Sequence, residues 1–284
     1  MTMSDRYAVM GDPVSHSKSP AIHRAFANQT GEAMGYEAIH VPAGHFQEAV
    51  ETFMNAGGRG LNVTLPFKEE AFAIAHEVTD RGRRAGALNT LWFDAGGAIH
   101  GANTDGLGLV RDLVANLGCE LEDRQLLVVG AGGATRGIVG PLLERNPARL
   151  VIANRTAGRA QAVAADFADA GPVEGCGLDG LAGRRFHLVI NATSAGIDGK
   201  VPALPEGLLE DGAWCYDLMY GDQPTAFMKW GEQNGAAHVA DGLGMLVEQA
   251  SESFRIWRGV RPDTLGVIRM LRSEPRESPA SNEV

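Results

Sequence analysis

Lys68 stands where the run Leu61-Asn62-Val63-Thr64-Leu65-Pro66-Phe67 passes from a strand end into a proline-led helix start, which sets its amine at the positive end of a helix dipole. A lysine is ordinarily a solvated surface charge, but one placed here suits a group that accepts and returns a proton. Asn103-Thr104-Asp105-Gly106 offers Asp105 as the carboxylate to orient it, although Asp105-Gly106 taken alone also reads as a turn. Upstream, Ser15-His16-Ser17-Lys18-Ser19-Pro20 lies between a strand and a helix. Short hydroxyls in such a loop, Ser17 first among them, can donate to a small carboxylate near a helix N-terminus, whereas Ser19 before Pro20 also fits an N-cap. Proton transfer beside a small anion is the chemistry this set could perform.

A second constellation is suited to binding phosphate. Leu126-Leu127-Val128-Val129 runs straight into Gly130-Ala131-Gly132-Gly133-Ala134-Thr135, a strand feeding a bare glycine turn and then a helix. Such a turn presents backbone N–H groups to a dinucleotide pyrophosphate, although glycines also serve turns for conformational reasons alone. Thr135 stands where G-x-G-x-x-G has its third glycine, so the motif departs from the common form. The next apolar run, Arg149 to Ala153, ends in Asn154-Arg155-Thr156, with Arg159 shortly after. An NAD site usually places an acidic residue here for the ribose 2′-hydroxyl. Two guanidinium groups and two short polar side chains instead suit a 2′-phosphate, so the sequence favours NADP over NAD.

These segments need elements to hold them. The chain has 284 residues, 44% hydrophobic and 21% charged, which is ample for two α/β units. Its net charge of −10 argues against nucleic acid or a membrane surface as partner, and no run is long and apolar enough to span a bilayer. Cys119, Cys176 and Cys215 are widely spaced, with no C-x-x-C pair and no companion histidines, so neither a disulfide framework nor a metal site is expected and a cytoplasmic setting fits.

Alternating strand and helix patterns predict an α/β unit over 1–104, with strands at Tyr7 to Met10, Glu37 to Val41, Gly60 to Val63, Thr90 to Phe93 and Ala98 to Gly101, and helices from Ser19, His45 and Phe67. A helical stretch from Gly106 to Asn116 links it to a Rossmann-type doubly wound parallel sheet within 105–241, with strands at Leu126, Leu150, Leu188 and Trp214. Helices from Leu243 to Gly259 and Pro262 to Leu271 fill 242–272, and 273–284 reads as a loose tail. The apolar C-terminal helix could pack internally or against a second copy, which leaves a homodimer open.

Taken together, Gly-Asp-Pro-Val-Ser-His-Ser-Lys-Ser-Pro at 11–20, Asn-Val-Thr-Leu-Pro-Phe-Lys at 62–68, Gly-Ala-Leu-Asn-Thr at 86–90, Asn-Thr-Asp-Gly at 103–106, Gly-Ala-Gly-Gly-Ala at 130–134, Asn-Arg-Thr at 154–156, Asn-Ala-Thr-Ser at 191–194 and Asp-Gly-Leu-Gly-Met-Leu-Val at 241–247 resemble the shikimate dehydrogenase family. The resemblance implies an N-terminal substrate domain, an NADP-binding Rossmann domain, and C-terminal helices that pack back on the first domain. It implies that Lys68 and Asp105 are the catalytic pair. Ser17 and Ser19 would hold the substrate carboxylate, and Thr64, Lys68, Asn89, Asp105, Tyr220 and Gln249 would surround the ring. On the cofactor side it points to Gly130, Ala131, Gly132, Gly133 and Ala134, to Asn154, Arg155, Thr156 and Arg159, and to Leu218, Gly242 and Asp80. The family often has Met where Leu218 stands, an exchange that keeps apolar packing against a nicotinamide. The implied reaction is reversible reduction of 3-dehydroshikimate to shikimate with NADPH. A quinate-tolerant or NAD-using relative and a non-catalytic NADP-responsive binding protein are the alternatives.

Overall fold

The structure is a computed structural model, and residues 4–193 and 199–273 are described. Ser194, the last residue of the 191–194 segment, and the expected tail beyond Ser273 lie outside them.

Two six-stranded sheets organise the chain. The first is built from β1 (Asp5–Gly11), β2 (Met34–His40), β3 (Gly58–Val63), β4 (Glu77–Val78), β5 (Thr90–Phe93) and β6 (Ile99–Ala102), in the order β2-β1-β3-β5-β6-β4. β1 runs parallel to β2 and β3, whereas β5 is antiparallel to both β3 and β6. Helices α1 (Ser19–Thr30), α2 (Phe46–Asn55), α3 (Lys68–Ile74) and α4 (Asp80–Ala85) complete this lobe. Phe46 and Phe67 stack with ring centroids 5.0 Å apart in its core, which also contains Met10, Leu61 and Leu91.

α5 (Asp105–Arg111) runs on into a π-helical turn, Asp112–Asn116, that leads to the second sheet. Its strands are β7 (Gln125–Val129), β8 (Arg149–Asn154), β9 (Val173–Gly177), β10 (Phe186–Asn191), β11 (Leu209–Asp217) and β12 (His238–Asp241). The order is β12-β11-β10-β7-β8-β9 and every pairing is parallel. Strand order therefore reverses between β7 and β10, the place where doubly wound sheets open a crevice for a dinucleotide. Leu126 and Val128 face one apolar layer while Leu127 and Val129 face the other, so both faces are covered, as a parallel sheet demands. α6 (Gly133–Leu143), α7 (Ala157–Asp166) and α8 (Ala226–Gln233) provide that cover.

The last two helices, α9 (Leu243–Arg258) and α10 (Leu265–Ser273), turn away from the second sheet. Leu243, Val247, Ala250 and Phe254 on α9 pack with Ile22 and Phe26 on α1 and with Val267 and Leu271 on α10. Each lobe thus shares α9 with the other. No helix among the described residues is long and apolar enough to cross a membrane.

Candidate active site

Lys68 is the first residue of α3 and Asp105 the first of α5, and Lys68 Nζ donates to Asp105 Oδ2 at 2.6 Å. Fully buried Phe67 anchors the start of α3, so the lysine has a fixed base and a side chain that keeps about 20% of its surface open. Asp105 is buried and pinned by its own backbone, whose N–H donates to Asn103 Oδ1 at 3.1 Å. Small residues let α5 come this close to its neighbours. A Cβ on Gly106 would lie 2.4 Å from the Gly137 carbonyl on α6, and one on Gly108 would lie 2.7 Å from Gln249 on α9. The carboxylate is thereby held against both the nucleotide lobe and the shared helix.

Asn89 determines which way that carboxylate points. Its Oδ1 accepts from the Thr104 N–H at 2.9 Å and the Thr90 hydroxyl at 3.0 Å, which turns its Nδ2 toward Asp105 Oδ1 at 2.8 Å and Gln249 Oε1 at 3.0 Å. Behind it lies a layer that sequence reasoning left unassigned. The Ser253 hydroxyl meets Thr90 Oγ1 at 2.8 Å and accepts from Asn62 Nδ2 at 3.0 Å, and Asn62 Oδ1 accepts from the Tyr36 hydroxyl at 2.7 Å. Tyr36 is in turn hydrogen-bonded to the Ser19 side chain, so one polar layer runs from Ser19 to Asp105. Asn62, Thr90 and Thr104 sit inside the matching sequence segments, which was the available signal. Tyr36 and Ser253 carried none, because Tyr36 precedes the strand expected from Glu37 and Ser253 falls in a helix read only for its apolar pattern.

Ser19 is buried and Ser17 half-buried, with Ser17 Oγ accepting from the Ser19 N–H at 3.3 Å. Lys18 rather than Ser19 occupies the N-cap position of α1, and Ser19 is already helical, which leaves its hydroxyl for Tyr36. Thr64 follows the end of β3 beside Gly11, where a Cβ on the glycine would lie 2.3 Å from the Thr64 methyl. Tyr220, beyond the end of β11, packs against the α1–α9 cluster of the first lobe.

On the opposite wall Gly130 adopts φ +118°, and a Cβ there would lie 2.9 Å from the Ala192 carbonyl, so a side chain is excluded twice over. Gly132 and Gly133 differ: a Cβ on either would meet no atom of the described residues within 4 Å, and neither has a positive φ. Nothing among the described residues requires them to be bare, and the room they leave lies at the N-terminus of α6, beside Ala131 and Ala134, where backbone N–H groups suit an anion. Thr135 takes the third glycine's place by donating its hydroxyl to the Gly130 carbonyl at 3.0 Å, which closes the turn from within.

β8 ends at Asn154, whose Nδ2 donates to the Thr156 carbonyl at 3.0 Å. Arg155, Thr156 and Arg159 are exposed, and neither arginine forms an ion pair among the described residues. Leu218 and Gly242 touch: a Cβ on Gly242 would lie 2.2 Å from the Leu218 carbonyl. Asp80 is the remaining residue expected on the cofactor side. It opens α4 and lines a cavity of about 370 Å³ between α4 and α6 with Arg136 and Phe167, on a flank where Arg81 pairs with Glu144. Among the described residues no cluster of His, Cys, Asp or Glu is arranged to hold a metal ion.

Three family models match the chain: the shikimate dehydrogenase substrate binding domain over residues 9–91, shikimate / quinate 5-dehydrogenase over 112–197, and the shikimate 5'-dehydrogenase C-terminal domain over 242–270. The chain belongs to the shikimate dehydrogenase family. A family member from Thioalkalivibrio sulfidiphilus, shikimate dehydrogenase (NADP(+)), is 58% identical over 268 residues, covering 94% of this chain and 98% of that one. Among solved structures, an Ael1 enzyme from Pseudomonas putida superposes with a TM-score of 0.89 at 44% identity, covering 94% of this chain and 98% of its own. Shikimate 5-dehydrogenase from Thermus thermophilus, in complex with NADP(H) and shikimate, gives a TM-score of 0.83 at 34% identity with the same coverage. In this shikimate dehydrogenase family member the substrate-domain match takes in Ser17, Thr64, Lys68 and Asn89, while Asp105 falls in the gap between the first two matches.

Proposed function

We propose that the protein reduces 3-dehydroshikimate reversibly to shikimate with NADPH. The observation that carries this reading is the 2.6 Å contact between Lys68 and a carboxylate whose other oxygen is fixed by Asn89. When bound, NADPH supplies the hydride. The chain supplies the rest: Lys68 Nζ delivers a proton to the ketone oxygen as it gains charge, and withdraws one from the hydroxyl in the reverse direction. Asp105 keeps the amine pointed at that oxygen and balances its charge. Asn89 and Gln249 hold ring hydroxyls, Ser17 and Ser19 take the carboxylate with Thr64 beside them, and Tyr220 closes over the ring from the second lobe. Gly130 to Ala134 receive the pyrophosphate, Leu218 and Gly242 support the nicotinamide, and Asp80 borders the cofactor from the α4 flank.

Arg155 and Arg159, with no carboxylate partner among the described residues and flanked by Asn154 and Thr156, are suited to the 2′-phosphate by bidentate, charge-assisted bonds. The test offers shikimate and quinate with NADP and NAD in all four pairings and follows nicotinamide absorbance. Turnover confined mainly to shikimate with NADP is the expected result. Equal turnover with quinate or with NAD would replace the assignment by a broader dehydrogenase, and no turnover in any pairing would leave an NADP-binding protein without this activity.

A further inference from the structure

Away from the site just described, a buried phenol meets a buried carboxylate. Tyr216 on β11 and Asp112 at the start of the π-helical turn are 0% and 4% exposed, and the Tyr216 hydroxyl donates to Asp112 Oδ2 at 2.7 Å. The other carboxylate oxygen accepts from Asn116 Nδ2 at 2.9 Å. α9 closes the third side: the backbone of Met245 is hydrogen-bonded to the same hydroxyl, and a Cβ on Gly244 would lie 2.0 Å from Asp112 Oδ1. Burial pushes the Tyr216 hydroxyl far above its ordinary range, so it stays protonated and remains the donor. A buried acid held by neutral donors is costly to keep unless its position matters.

The position does matter, because each of the three elements carries a residue of the proposed site close by. Asp105 precedes Asp112 by about two helical turns on the same run of helix. Leu218 is the second residue after Tyr216, directly past the end of β11, and Gln249 follows Met245 by one turn of α9. These are the acid–base carboxylate, the support for the nicotinamide and a ring contact. They come from different parts of the chain, and hydride transfer requires their separation to be fixed to well under an ångström.

We infer that Tyr216 and Asp112 are positioning residues: their hydrogen bond sets the spacing of α5, β11 and α9, and so aligns Asp105 and Gln249 with the nicotinamide support at Leu218. This inference rests on the dehydrogenase reading. A group buried for stability alone would change the melting temperature without changing the turnover of the folded protein.

The experiment compares the wild-type protein with Tyr216→Phe, which keeps the ring and removes only the hydroxyl, and with Asp112→Asn, which keeps an acceptor for it. Turnover of shikimate with NADP and the primary deuterium isotope effect on kcat are measured on folded protein. Tyr216→Phe is expected to lower kcat about ten- to a hundredfold, with KM for shikimate within about threefold of wild type and an enlarged isotope effect as hydride transfer becomes limiting. Asp112→Asn is expected to keep kcat within about threefold. Should Tyr216→Phe fail to fold, Asp112→Ala combined with the Asp112→Asn rescue carries the same comparison. Wild-type kcat and isotope effect in Tyr216→Phe, or an equal loss in Asp112→Asn and Asp112→Ala, would overturn the inference while leaving the activity standing. An inactive wild-type protein would remove the activity and the inference together.

Discussion

The two walls of the site are built in opposite ways. Around Asp105 nearly every polar atom is already engaged by another protein group: Asn89, Thr90, Thr104, Gln249 and Ser253 bond one another before any ligand arrives. At the glycine turn and the end of β8 the reverse holds, with bare glycines facing open space and two arginines that have no carboxylate partner among the described residues. The first arrangement fixes a reacting group, since a network in which every member is satisfied resists reorientation. The second, on the proposed reading, would receive a large anion and leave its energetics to the ligand. Substitutions on the first wall should therefore act on kcat, and those on the second on cofactor affinity.

Lys68→Ala tests the first wall most severely. General acid–base catalysis contributes about 10²- to 10⁴-fold, so kcat should fall by that order while KM for shikimate changes by less than about fivefold. Near-normal turnover would make Lys68 a binding residue and dissolve the contrast.

Arg155→Asp probes the second wall by placing a carboxylate against the 2′-phosphate. A charge-assisted hydrogen bond is worth about 1.5–3 kcal/mol, so KM for NADPH should rise about ten- to a hundredfold with KM for NADH nearly unchanged. Equal effects on both cofactors would refute the 2′-phosphate assignment. Gly132→Ala sharpens the comparison further, because its Cβ would meet no atom of the described residues within 4 Å. The melting temperature should hold within a few degrees while KM for NADPH rises about tenfold, given the close backbone approach that a pyrophosphate requires. A parallel loss of stability would mean that the glycine serves the fold rather than the ligand.

How far these walls were legible in the sequence follows the same division. The second lobe's central strands were readable because buried parallel strands are short continuous apolar runs, and Leu126–Val129 and Leu150–Ala153 lie within β7 and β8 as expected. β4, α4 and β9 were not: Glu77–Val78 is too short to show a period, Asp80–Ala85 is mostly charged, and Val173–Gly177 is a glycine-interrupted edge strand. α3 stops at Ile74 because Ala75 turns extended and the residues at 77–78 pair with β6. α10 starts at Leu265 rather than Pro262 because the Asp263 carboxylate caps the Leu265 and Gly266 N–H groups. Lys68 and Asp105 could be picked out by residue type and position. The layer that orients them could not, since Ser253 lies 191 residues from Asn62 in the chain and only the packing of α9 on the first lobe unites them.

The far end of that layer gives the smallest predicted effect on turnover and the one that separates stability from catalysis. His23 is fully buried, stacked on Tyr36 with ring centroids 4.1 Å apart, and shares a 3.2 Å hydrogen bond with Asn62. Burial pushes its pKa down to about 3, against an ordinary value near 6.5. The unfolded chain therefore binds a proton that the folded chain refuses between about pH 3 and 6.5, so this histidine's share of stability is complete above that window and is lost as pH falls through it. The slope is about 1.4 kcal/mol per pH unit for a single fully shifted group. In His23→Phe the aromatic stack is kept and the titration removed. The melting temperature at pH 7.5 should drop with the lost hydrogen bond, while its decline between pH 6.5 and 4.5 becomes shallower than in the wild type. An unchanged acid slope would show that His23 is protonated in the folded state, and the layer linking Ser19 to Asp105 would then be less dry than its geometry requires.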